Sequence, residues 1–148
     1  MGEFFGSIYT SLFEDWYGQE LANYLWGQAS PSQQGNMFIT FGIEMIIVSF
    51  VVAVLYYYVI DRPRWAHWWG WCCALVVNAA LCFVIGWQRT LSDFDAGLMM
   101  NADQQPLNIG PTECLAFGGT NAIIAMITFF IVSMIVKWKS ASSAHVPF

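Results

Sequence analysis

The fold of this chain is most restricted by three long apolar stretches, at residues 37–60, 68–87 and 115–136. Each has about the 20 residues that an α-helix needs to cross the hydrocarbon core of a bilayer. The sequence therefore predicts an all-α integral membrane protein with three transmembrane helices. The polar sequence between the last two stretches, residues 88–114, is predicted to be a loop.

The composition supports this class. The chain has 148 residues, of which 57% are hydrophobic and 10% are charged, whereas a soluble domain has about 25% charged residues. A net charge of −5 with only five Lys and Arg residues excludes a nucleic-acid partner, since phosphate binding requires clustered basic side chains. We expect a multi-pass protein of an inner or plasma membrane, because the bacterial outer membrane takes β-barrels.

Two groups of basic residues predict the orientation of the helices. They are Arg62 and Arg64 in the turn 61–67, and Lys137 and Lys139 in the tail 137–148. Cytoplasmic segments beside membrane spans are enriched in Lys and Arg, so the turn and the tail are predicted to be cytoplasmic. The loop 88–114 contains Arg89 alone among basic residues. It is predicted to face outward, together with the N-terminus.

Residues 1–30 are predicted to form a short amphipathic helical segment on the outer face. Ile8, Leu12 and Trp16 recur at four-residue spacing, and Gly18 interrupts the pattern. The sequence SLFE at 11–14 predicts a capping box. Because this segment has no basic residue, attraction to anionic lipid is not expected to hold it. The outer leaflet and a partner protein or neighbouring subunit both stay open as its contact, and the C-terminal tail is a second candidate site for a partner protein.

Tryptophans mark the predicted ends of the spans. Indole rings settle where the apolar ring meets lipid and the N–H group meets water. The predicted interfacial anchors are Trp65, Trp68, Trp69, Trp71, Trp87 and Trp138.

Glu44 lies inside the first apolar stretch, about 10 Å from its outer end at 1.5 Å per residue. A charge in the membrane costs on the order of a few kcal/mol. Thr120 and Asn121 have a similar predicted depth on the third stretch, and Asn78 lies deeper on the second. In one interpretation a neutral Glu44 hydrogen-bonds Asn121 and holds helices together. In the other, Glu44 faces a polar pathway or a subunit axis.

Small side chains recur at four-residue spacing, a pattern that lets helices approach closely in lipid. The predicted helix interface comprises Gly70, Ala74 and Cys82 on the second stretch, Gly118 and Ala122 on the third, and Ser49 and Ala53 on the first. Three helices bury little of such surface among themselves. We therefore expect some of these faces to contact further copies, so that the protein forms a homo-oligomer.

The chain contains no recognisable catalytic motif, and we expect no enzyme activity. Cys72 and Cys73 are adjacent and form no C-x-x-C motif. Both histidines lie outside the apolar stretches, where they cannot ligate a haem inside the membrane. The loop contains D-x-D-x-G but lacks the third ligand of a calcium loop. The sequence thus predicts neither a metal nor a cofactor.

Two functions fit these features. A pore or channel requires a polar path, and a non-conducting anchor or scaffold subunit of a larger assembly requires the same polar side chains to be paired within the chain. The side chains available for such a path are Glu44, Asn78, Thr120, Asn121, Thr128 and Ser133. The sequence favours the oligomeric pore slightly, with the anchor or scaffold as the alternative.

Overall fold

A computed structural model describes residues 2–27, 35–60, 68–100, 103 and 105–137. In these residues the chain is helical, and the single extended pairing is an isolated bridge between Met100 and Pro106. The helices are α1 (Gly2–Tyr17), α2 (Gln19–Leu25), α3 (Met37–Val54), α4 (Trp68–Asp95) and α5 (Pro111–Lys137). A π-helical segment, Leu55–Ile60, follows α3 directly. Three helices are long and apolar enough to cross a membrane, so the predicted all-α class with three candidate spans is confirmed.

The helix on each side of the predicted outer loop is longer than its apolar stretch. α4 continues past Trp87 to Asp95, and α5 begins at Pro111 instead of residue 115. The prediction of a loop over 88–114 is therefore wrong for residues 88–95 and 111–114. The apolar run measures the thickness of the hydrocarbon, whereas a helix can continue through polar residues beyond it.

Local signals explain where these two helices end and begin. Beyond Asp95, Gly97 has a φ of 68° and the Leu98 N–H donates to the Asp93 carbonyl at 3.0 Å. This is a Schellman motif, which favours glycine because only glycine adopts a positive φ without strain. At the start of α5, Pro111 occupies the first helical position, and Glu113 Oε2 accepts the Gly110 N–H at 2.9 Å.

The N-terminal segment, whose pattern left one or two short helices open, consists of two helices. Gly18, with a φ of 84°, separates α1 from α2. The capping box predicted at 11–14 is wrong, because these residues lie inside α1, which runs without a break from Gly2 to Tyr17. Serine favours helix N-termini, but it is also found inside helices with its side chain toward solvent, and Ser11 is exposed.

Compact packing divides the chain into two units, and the division falls within α3, α4 and α5. The first unit, residues 1–43 and 83–121, has an aromatic core. The Phe117 ring lies 5.7 Å from Tyr9, 5.5 Å from Tyr17 and 5.0 Å from Phe41, measured between centroids. All four side chains are at most 1% exposed. These ring contacts attach α1 to the parts of α3 and α5 that belong to the first unit.

The second unit comprises residues 44–82 and 122–148. Trp71 of α4 packs against Phe129 of α5, with ring centroids 6.0 Å apart. The buried core contains Ala53, Tyr56, Tyr57, Trp71, Phe129 and Val136. Long side chains that point away from this core are apolar, including Ile46, Ile47, Phe50, Val76, Val77, Ile127 and Ile131. A helix that is apolar on its exposed face as well as its packed face is typical of a membrane span.

Several predictions concern residues that the structure does not describe. The turn 61–67, with Arg62, Arg64 and Trp65, lies outside the described residues, as do residues 28–34. So does the tail beyond Lys137, with Trp138 and Lys139. The orientation that these basic residues predict stays a prediction.

Candidate functional site

The first unit contains a buried polar contact between α1 and α5. The Tyr9 hydroxyl donates to Asn121 Oδ1, and Asn121 is 2% exposed. The Tyr9 ring packs against Phe38 and Phe117, with centroid distances of 5.3 Å and 5.7 Å. The sequence pattern did not predict a role for Tyr9, because the four-residue apolar spacing indicated the neighbouring series Ile8, Leu12 and Trp16.

Asn121 was expected to bind Glu44, and Thr120 to lie close by. Thr120 is fully buried, and its hydroxyl donates to the Ala116 carbonyl at 3.1 Å within α5. Glu44 belongs to the second unit, whereas Thr120 and Asn121 belong to the first. A hydrogen bond between Glu44 and Asn121 therefore stays a prediction.

Close approach of α4 and α5 in the first unit depends on two glycines. A Cβ atom at Gly118 would lie 2.9 Å from Trp87 Cβ and 3.0 Å from the Phe83 carbonyl oxygen. A Cβ atom at Gly86 would lie 3.1 Å from Asn121 Nδ2. Small side chains at these positions let the two helices meet along their backbones, which is a main source of attraction between helices in lipid.

In the second unit, Asn78 links three helices. Its side chain is fully buried, and Nδ2 donates to Ser49 Oγ of α3 and to the Ala125 carbonyl of α5, each at 3.1 Å. Because the Ala125 carbonyl can only accept, the orientation of the amide is fixed. Asn78 Oδ1 has no hydrogen-bond partner among the described residues. Asn78 thus acts as a polar contact inside the packed helices.

Trp71 and Ser133 form a second polar contact in this unit. The indole Nε1–H donates to Ser133 Oγ at 3.4 Å, and the Ser133 hydroxyl donates to the Phe130 carbonyl. Trp71 is 8% exposed, so its ring packs against protein, and its role as an interfacial anchor stays a prediction. It lies seven residues before Asn78 and shares the packed face of α4, since seven residues make nearly two helical turns.

The other predicted anchors that the structure describes are more exposed than Trp71. Trp68 is 50% exposed and Trp69 is 73% exposed, at the start of α4. Trp87 is half-buried and stacks loosely on Phe83, with centroids 6.0 Å apart. The anchoring role of these rings in a membrane stays a prediction.

Glu44 and Thr128 are the least enclosed of the polar candidates. Both side chains are half-buried. Glu44 Oε2 is itself shielded from solvent, and the Thr128 hydroxyl donates to the Ile124 carbonyl at 3.0 Å. The Glu44 side chain therefore lies at a half-buried position on α3, with one of its two carboxylate oxygens shielded from solvent.

The small residues predicted as a helix interface are buried or half-buried, and contact of their faces with further copies stays a prediction. Gly70, Ser49, Ala53, Cys82 and Gly118 are buried, and Ala74 and Ala122 are half-buried. Two further positions, Gly86 and Thr90, are also buried and continue the four-residue series along α4. Within each unit, the members of this series on α4 are buried or half-buried.

Polar contacts within the first unit join α2 to the end of α4 and to the connection between α4 and α5. Glu20 Oε2 accepts the Asn108 backbone N–H at 2.7 Å. The Tyr24 hydroxyl donates to Asp93 Oδ2 at 3.3 Å. These contacts join segments far apart in the chain on one surface.

The described residues contain no group of three His, Cys, Asp or Glu side chains that could hold a metal ion. Tyr17 is fully buried, and burial, with a smaller contribution from Glu14, raises the pKa of its hydroxyl above the usual value. A hydroxyl that is harder to ionise is suited to packing and not to proton transfer near neutral pH.

Comparison of the chain with protein-family models, with curated proteins and with solved structures gives no match.

Proposed function

We propose that the protein is a non-conducting membrane anchor or scaffold subunit of a larger multi-protein assembly. The observation that carries this proposal is the placement of the polar side chains of the long helices. Asn78, Thr120, Asn121 and Ser133 are at most 2% exposed, and each hydrogen-bonds within its own unit. A conducting path requires polar groups that face water or a shared axis, whereas these face the interior of the packed helices.

The distribution of charge suggests where a partner would bind. Eight of the ten acidic residues, and a single basic one, belong to the first unit. Glu3, Asp15, Glu20, Asp95 and Asp103 are exposed. A partner protein that presents basic side chains would complement this surface, because complementary charges favour encounter and select the partner.

The anchor proposal predicts that the purified protein does not conduct ions. Wild type and Glu44→Gln are reconstituted into liposomes, and ion flux is followed with an entrapped dye, with a known ion channel as the positive control. Neither protein is expected to raise flux above that of protein-free liposomes. Wild-type flux that changes with pH and changes again in Glu44→Gln would contradict the anchor and support a pore.

Association with a partner is tested in native membranes. The tagged protein is extracted in a mild detergent and analysed by native electrophoresis beside the purified protein. We expect it to migrate in a larger complex than the purified protein. When the other subunit of that complex is tagged and purified, this protein is expected to co-purify with it. Charge reversal at two exposed acids, Asp15→Lys with Asp95→Lys, is expected to weaken that complex, and Val77→Leu on the apolar surface is the matched control.

An oligomeric pore is the second candidate, and the half-buried position of Glu44 on α3 is the observation that favours it. Intramembrane carboxylates commonly mark ion or proton pathways. In a homo-oligomer, several copies of Glu44 would approach a common axis. The flux measurement above separates this function from the anchor.

A further inference from the structure

Helix α1 has three parallel stripes of different chemistry, each with a four-residue spacing. The polar stripe is Glu3, Ser7, Ser11 and Asp15, and all four are exposed. The apolar stripe is Phe4, Ile8, Leu12 and Trp16. The aromatic stripe is Phe5, Tyr9, Phe13 and Tyr17, and its members are buried or half-buried in the first unit.

The apolar stripe lies between the other two. Successive residues of an α-helix are rotated by about 100°, so the stripe beginning at Phe4 separates the one beginning at Glu3 from the one beginning at Phe5. Phe4, Leu12 and Trp16 are 65%, 63% and 60% exposed, as much as the outward side chains Ile47 at 55% and Ile127 at 56%. The helix thus changes from a protein-facing surface, through an exposed apolar surface, to a polar surface.

The N-terminal end of α1 meets α3 at a depth that suits a membrane interface. A Cβ atom at Gly42 would lie 2.5 Å from the Phe5 ring, so Phe5 packs directly on this glycine. Gly42 is five residues after Met37, or about 8 Å along the helix axis. The adjacent Ile43 is 46% exposed, so α3 presents an exposed apolar side chain next to the residue that contacts α1. Interfacial helices bury their apolar side about 5–10 Å into the boundary between headgroups and acyl chains.

The charges of this segment restrict the kind of lipid contact. Residues 2–27 contain Glu3, Glu14, Asp15 and Glu20 and no Lys or Arg. Attraction to anionic headgroups therefore cannot hold the helix at the surface, and burial of the apolar stripe must do so. The acids at positions 3 and 15 belong to the polar stripe, on the side expected to face water.

From these observations we propose that the apolar stripe of α1 is a lipid-binding surface, seated at the headgroup–acyl boundary of a bilayer whether or not that bilayer contains anionic lipid. The aromatic stripe holds α1 on the first unit, and the polar stripe faces the aqueous phase. This surface is independent of the proposed function, because it concerns how α1 is held and not what the assembly does.

Adjacent residues on different stripes test the proposal in the full chain. Leu12→Cys and Ser11→Cys are made in a background whose four natural cysteines are replaced, spin-labelled and reconstituted in phosphatidylcholine vesicles. Collision rates are measured with oxygen, which concentrates in lipid, and with a water-soluble nickel chelate. We expect oxygen collisions to dominate at position 12 and nickel collisions to dominate at position 11, with the same ratios when anionic phosphatidylglycerol is added.

Three results would overturn the proposal. Nickel collisions that dominate at both positions would place the stripe in water. A label at position 12 that neither reagent reaches would place it against a partner protein or, with spin–spin broadening, against a second copy. A lipid signal that appears only with anionic lipid would contradict burial as the driving force.

A second measurement avoids the cysteine replacements. Brominated phosphatidylcholine quenches tryptophan fluorescence when the ring is in the boundary region. Trp16→Phe is expected to lose part of the quenchable fluorescence of the wild-type protein reconstituted in these lipids. An equal absolute loss of fluorescence on quenching in the two proteins would place Trp16 away from lipid and contradict the proposal.

Discussion

At the scale of single residues, the second unit is organised around a buried amide. Asn78 donates to α3 and to α5 from a position with no solvent exposure. A leucine has the same branched shape but larger terminal groups. It would lose both hydrogen bonds and also remove the Oδ1 atom, which has no partner among the described residues. Asn78 therefore tests how much of the helix association depends on polar contacts and how much on packing.

We expect Asn78→Leu to lower the free energy of unfolding by about 1 kcal/mol, because an interhelical hydrogen bond in a membrane protein contributes about 0.6 kcal/mol on average. Unfolding by sodium dodecyl sulfate in mixed micelles, followed by far-UV circular dichroism, measures this loss. Val77→Leu is the control, since Val77 is exposed on the same helix. Equal stability of the two variants would mean that packing alone holds these helices together.

At the scale of the helices, the sequence predicts which helices form and in what order better than it predicts where each helix ends and what it contacts. The three apolar stretches predicted α3, α4 and α5 because length and hydropathy report the thickness of a membrane. They did not predict that α4 continues to Asp95, since helix ends depend on local capping. Gly97 ends the helix because it adopts a positive φ there.

Side-chain contacts were less predictable, because one residue type serves both in a core and at an interface. Trp71 and Trp69 are both aromatic residues near one end of α4, and the first is buried whereas the second is 73% exposed. Which one packs inward depends on the neighbouring helices. In α1 the four-residue spacing was visible in the sequence, but only tertiary contacts decide that the stripe containing Tyr9 is the buried one.

Two adjacent glycines in α5 test the close helix approach. Gly118→Ala is expected to destabilise the protein by about 1–3 kcal/mol, the usual cost of overpacking, because the new methyl group would meet Trp87 and Phe83. Gly119→Ala is expected to be neutral or stabilising by about 0.5–1 kcal/mol through helix propensity, since a Cβ atom there has nothing within 4 Å. Detergent unfolding curves of both variants against wild type provide the measurement, and an equal effect of the two would contradict the packing described.

At the scale of the whole molecule, the central prediction is its orientation. The described residues include Arg89 and Lys137 but not the turn 61–67, so the charge asymmetry rests on the sequence. Cytoplasmic enrichment in Lys and Arg predicts an outer N-terminus and a cytoplasmic C-terminus. The exposed connection between α4 and α5, which contains Asn108, would then face outward.

A single cysteine in a cysteine-replaced background tests this orientation. Asn108→Cys is expected to react with a membrane-impermeant maleimide in intact cells, and Ser142→Cys is expected to react only after the membrane is permeabilised. Mass shift on a denaturing gel gives the extent of labelling. Reaction of Ser142→Cys in intact cells with protection of Asn108→Cys would reverse the orientation.

The discontinuity of the first unit has a consequence for biosynthesis. Tyr9 and Asn121 are separated by 112 residues, and their contact requires α5. During translation, α1 emerges before α5 and has no complete docking site until α5 has been synthesised and inserted. For that interval its rings must be sheltered by the bilayer or by the insertion machinery, and α1 can dock only after α5 has been made. A nascent chain stalled before residue 111 would leave the N-terminal helix accessible to protease, and release of the stall would protect it.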